Sequence, residues 1–107
     1  MKLVISIMSK NDSNMVVDAL NEKGIQVTKL STAGGFLRHK NITLMIGIED
    51  HKVDQVISII SKCSSQRTQL MPNAIPPELG IPSMLPFEVT IGGATIFVLD
   101  VDRYKKV

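Results

Sequence analysis

The sequence predicts an α+β fold, a ferredoxin-like split βαβ sandwich closed by a C-terminal β-hairpin. Three observations carry that expectation. Short β-branched apolar runs alternate with two stretches of helical periodicity. The order is strand, helix, strand, strand, helix, and then a Gly92-Gly93 pair sits between two further strand-like runs. The chain has 107 residues, a length suited to one domain spanning 1–107 around one core.

Taken in order, Lys2 to Met8 (KLVISIM) is dense in apolar and β-branched residues and reads as a buried strand. Asn11, Asp12 and Ser13 offer capping oxygens, Met15, Val16, Ala19 and Leu20 recur at helical spacing, and Gly24 supplies a left-handed stop. The first helix is therefore expected over about 13–23. Ile25 to Ser31 alternates as a second strand, broken by Thr32, Ala33, Gly34 and Gly35. Ile42 to Ile48 is the third strand. Val53, Val56, Ile57 and Ile60 follow the i, i+3, i+4, i+7 rule and predict a helix over about 52–64, with Glu49 and Asp50 at its positive end. All 5 prolines fall between Gln66 and Pro86, which predicts an irregular, flexible loop whose order depends on ligand. Phe87–Ile91 and Ala94–Val101 then flank Gly92-Gly93 as a hairpin.

Two helices cover one face of an open sheet. Ile42, Leu44, Ile46 and Ile48 are expected beneath them, with Val4, Met8 and Met45 on the bare face, where a second subunit would cover them.

Composition narrows the function classes. Hydrophobic residues make up 44% and charged residues 21%, a globular balance. A net charge of +2, from 12 basic and 10 acidic residues, does not favour nucleic acid or a membrane surface as partner. No apolar run reaches the ~18 residues of a membrane span, and Ser6, Ser9 and Lys10 interrupt the first run too early for a signal peptide. The single cysteine, Cys63, fits a reducing compartment, so the cytoplasm is expected. RNA binding on strand aromatics is disfavoured, because only Phe97 lies inside a strand.

Catalytic signals are sparse. His39, His51 and Cys63 lack metal-ligand spacing, and neither a phosphate-binding Gly-Lys loop nor a nucleophile elbow occurs. We expect no enzyme, no metal and no cofactor. The segment from Thr28 to Gly47 carries the most chemistry. Gly34 and Gly35 can present backbone N–H groups to an anion, and Phe36 and Leu37 add apolar surface beside them. Asn41 and Thr43 can hydrogen-bond a base or phosphate, and Gly47 leaves room for a planar ring. Lys29, Arg38, His39 and Lys40 give the stretch a basic bias. A glycine turn with a hydrophobic anchor accounts for the same residues as a nucleotide site does.

Thr28-Lys29-Leu30, Gly34-Gly35-Phe36-Leu37, Asn41-x-Thr43, Met45-Ile46-Gly47 and Gly92-Gly93-Ala94-Thr95-x-Phe97-Val98-Leu99 together resemble the PII-like cyclic di-AMP receptor family over nearly the whole chain. The resemblance implies a PII-like homotrimer with cyclic di-AMP bound in clefts between subunits, signalling through loop rearrangement to an unidentified protein. Carried over by position, Thr28, Gly35, Phe36, Leu37 and Asn41 would touch the ligand, with Thr43, Gly47 and Phe97 matching less closely. Departures fall at Gln26, where the family pattern has Arg, at Gly24, where it has Asn, and at Lys105-Lys106 in place of a terminal Gln. A regulator for another adenine nucleotide, or an interaction module without a ligand, would share this architecture.

Overall fold

The computed structural model of the chain describes residues 1–31, 41–71 and 87–107. Its element order is β1 (Lys2–Ser9), α1 (Lys10–Glu22), β2 (Thr28–Ser31), β3 (Asn41–Ile48), α2 (Val53–Ser64), β4 (Arg67–Met71), β5 (Phe87–Ile91) and β6 (Ala94–Asp100), with one 3₁₀ turn, Asp50–Lys52, leading into α2. Four strands form an antiparallel sheet in the order β2-β3-β1-β6, and β4 and β5 form a separate two-stranded ribbon. Here β6 plays the fourth strand of a ferredoxin-like βαββαβ core.

The first helix begins earlier than its sequence signals suggest. Ser9, not Asn11–Ser13, is the N-cap, and its Oγ accepts the Asp12 N–H at 3.2 Å. At the other end Gly24 takes φ +74°, Gly24 N–H donates to Asn21 C=O at 2.9 Å, and Ile25 N–H donates to Leu20 C=O at 3.0 Å. These two bonds are the Schellman arrangement, which satisfies carbonyls the helix would otherwise leave open. Val16 and Leu20, one turn apart, are fully buried.

The core lies between the two helices and one sheet face. Val4, Met8, Ile42, Leu44 and Ile46 come from the sheet, Val16 and Leu20 from α1, Val56 and Ile60 from α2, and Ile25 from the turn after α1. Each such side chain contributes roughly 1.5–3 kcal/mol on burial. This corrects one sequence expectation. Val4 and Met8 belong to the helix-covered face, because register pairs them with Ile46 and Ile42. Directly paired residues in an antiparallel sheet share a face. The bare face of β1 is Leu3, Ile5 and Ile7. Both faces of that strand are apolar, so alternation alone cannot tell them apart.

A second correction concerns the C-terminal strands. The Gly92-Gly93 hairpin does not form: β5 pairs with β4, and β6 pairs with β1 from Met8↔Ala94 to Lys2↔Asp100. Gly92 and Gly93 adopt φ +82° and +97°, as a tight hairpin would demand, but they make a corner between the two sheets. A Cβ on Gly92 would sit 2.7 Å from the Ser65 carbonyl oxygen, and one on Gly93 would sit 2.9 Å from Gln66 Cγ. Third, Arg67–Met71 is a strand within the stretch expected to be irregular, while residues 72–86 of that stretch lie outside the described residues. At the far end of the sheet Lys2 pairs with Asp100, whose carboxylate holds the ammonium above the usual lysine range.

Candidate functional site

Register brings most of the sequence-predicted contacts onto one surface. Thr28 pairs with Met45, Met45 with Ile5, and Ile5 with Phe97, so these four form a row across the sheet. The next row runs Leu30, Thr43, Ile7 and Thr95, and the row on the other side runs Gly47, Leu3 and Leu99. Ser9 pairs with Asn41 at the sheet's end. Thr28, Asn41, Thr43, Gly47 and Phe97 therefore share the face that the helices leave bare. Gly35, Phe36 and Leu37 lie outside the described residues, as do Arg38, His39 and Lys40. Ser31 and Ile42 are paired, so that segment leaves and re-enters the sheet at neighbouring positions.

The bare face is strongly apolar. Phe97 is 52% exposed, Leu99 45% and Leu30 42%, and half-buried Leu3, Ile5, Ile7 and Met45 lie between them. Polar groups are few and short: Thr28, Thr43, Thr95, Ser9 and Asn41. Gly47 has ordinary backbone geometry here, and a Cβ added to it would meet only Met1 Sδ, at 4.0 Å. Nothing described within the chain requires glycine at that position.

Lys29 does not join this surface. It pairs with Leu44, a core residue, so it points to the helix side, where its Nζ donates to Asn14 Oδ1 at 2.9 Å. The basic character expected of the segment thus loses Lys29 from this face.

At the sheet's end a cleft of about 900 Å³ opens between the body and the base of the ribbon. Ile7–Ser9 and Asn41 form one wall, Ser61, Ser64, Ser65 and Gln66 a second, and Thr90 to Ile96 the rest. Hydroxyl and amide groups dominate its polar lining, and none of these residues carries a charge. Such a volume suits a ligand of nucleotide size. Asn41 belongs to both features: it lines the cleft and ends the bare face. The cleft's other polar residues are missed by motif reasoning, because β1, α2 and β5 come together only through tertiary packing. The clearest signal for them is Gly92-Gly93, read in the sequence as a hairpin.

No three His, Cys, Asp or Glu side chains gather into a metal-binding group among the described residues. No helix among them is long and apolar enough to cross a membrane.

A neutral cleft with convergent hydroxyls and amides, next to an apolar face, has the make-up of a site that binds a small ligand. The chain belongs to the cyclic-di-AMP receptor family, whose model matches residues 1–107. It is also similar to a solved structure described as that of a functionally unknown protein from Pediococcus pentosaceus ATCC 25745. The two share 40% identity with a TM-score of 0.78, over 99% of this chain and 96% of that one. Family membership points to ligand binding and signalling, with cyclic di-AMP as the ligand.

Proposed function

We propose that this chain is a PII-like second-messenger receptor that binds cyclic di-AMP between the subunits of a homotrimer and signals by rearranging its loops. One observation carries this reading. Five of the residues expected to touch the ligand, carried by β2, β3 and β6, share the one face of the sheet that the two helices leave bare. An apolar surface of this kind marks an interface. A neighbouring subunit laid against it would place Phe97 and Ile5 where adenine can stack, and Gly47 where a ring can approach the backbone. Thr28, Thr43 and Asn41 would hydrogen-bond base edges or phosphates. In sequence, Gly35, Phe36 and Leu37 lie between Ser31 and Asn41, so ligand contact at Asn41 has a direct covalent route to them.

Light scattering tests the assembly. The expected mass is three times the 11.7 kDa of the chain, and ligand is not needed to reach it. A monomer at micromolar concentration would leave the apolar face unexplained and remove the between-subunit site.

A further inference from the structure

The ribbon β4–β5 is a separate sheet, yet its base is fastened to the body by a buried charge. Asp12, in the first turn of α1, is 1% exposed. Its Oδ1 accepts from Arg67 Nη2 at 3.0 Å, and its Oδ2 is buried with no hydrogen-bond partner among the described residues. Arg67 opens β4, 55 residues away in sequence. Its second nitrogen, Nη1, donates to the Ser65 carbonyl at 3.2 Å. The guanidinium also fills the room that a side chain at position 92 would need: a Cβ there would stand 2.6 Å from Nη1. Gly93 N–H donates to Ser64 C=O beside it.

We propose that the Arg67–Asp12 pair is a latch that holds the ribbon against the start of α1 and sets the width of the cleft. The geometry links both strands of the ribbon to one point. Arg67 belongs to β4 and pairs with Ile91 at the end of β5, and Gly92 turns from there towards β6. The cleft's body wall includes Ser9, the residue that caps Asp12's helix. Ser65 and Gln66 lead directly into Arg67, and the ribbon itself contributes Thr90 and Ile91. A carboxylate removed from water needs its cation, so Arg67 has a strong reason to stay. Its side chain is 46% exposed, so a ligand or partner at the ribbon can reach it and compete. Arg67 is thus a positioning residue that acts through the ribbon.

Hydrogen exchange on the ligand-free protein tests the latch. Arg67→Ala should speed exchange of the β4 and β5 amides at least tenfold and leave those of β1 and β3 within twofold. Arg67→Lys, which keeps the charge but not the fork, should fall between this variant and the parent. The double variant Asp12→Asn/Arg67→Ala removes the buried charge as well, so it folds even if the single variant does not. It should show the same local loss. Ribbon amides as protected in the double variant as in the parent would overturn the latch. So would an equal loss of protection in β1 and β3, which would mean a general destabilisation. Every readout is taken without ligand, so the outcome does not depend on what the cleft binds.

Discussion

Thr28 and Phe97 stand on opposite edge strands of the sheet yet share one cross-strand row, joined through Met45 and Ile5. A short hydroxyl at one end and a half-exposed aromatic at the other bracket two apolar side chains on the bare face. Gly47 lies on the same face, one row further on.

Gly47→Ala separates the demands of the fold from those of an occupant. A Cβ at position 47 meets nothing within 4 Å except Met1 Sδ at its limit, so the folded chain has room for it. In a strand, alanine also gives up less conformational entropy than glycine. Unfolding in urea should therefore find the variant's intrinsic stability unchanged or up to about 1 kcal/mol higher, while ligand binding falls. Loss of fold stability by more than that would place the glycine's role inside the chain.

Gly92→Ala should behave in the opposite way. The position needs a positive φ, and the added methyl would press on the Ser65 carbonyl and on the Arg67 guanidinium. A backbone carbonyl cannot yield as a flexible side chain can. The expected cost is about 1–3 kcal/mol, read as a lower midpoint in thermal or urea unfolding. A midpoint equal to the parent's would show that the corner is built differently.

Gly92-Gly93 also marks where local sequence reading stops. A two-residue hairpin and a corner between sheets both ask for positive φ at two successive residues, so the same dipeptide serves either. The choice is made by partners far away: β6 finds a seven-residue register on β1, and β5 finds Arg67–Met71. The face assignment of β1 fails for a related reason. Val4, Ser6 and Met8 face the helices although Leu3, Ile5 and Ile7 are at least as apolar, and only pairing to β3 decides. By contrast, the helices, the Gly24 stop and the strand–helix order rest on local chemistry and were legible. Of the candidate contacts, those on strands meet on one face, whereas the glycine loop falls outside the described residues.

Ser6→Ala probes the centre of the core. Ser6 is fully buried and its Oγ has no hydrogen-bond partner among the described residues. It faces Leu44 on one side and Ile96 on the other. Removing a hydroxyl that makes no bond relieves a desolvation cost of about 1–3 kcal/mol and opens little space. The variant should equal or exceed the parent in urea unfolding. A loss above about 1 kcal/mol would mean that the hydroxyl is bonded in solution.

The most direct test of the receptor reading is a calorimetric titration with cyclic di-AMP. The parent should bind one ligand per chain, three per trimer. Asn41→Ala and Thr28→Ala should each weaken binding ~5–100-fold, the range for losing one hydrogen bond to a neutral or a charged group, with the assembly intact. Gln26 is exposed just before β2, so Gln26→Ala should change little, and Gln26→Arg, which restores the family pattern, should tighten binding. A parent that takes up no cyclic di-AMP, or Asn41→Ala and Thr28→Ala both binding as the parent does, would contradict the proposed site.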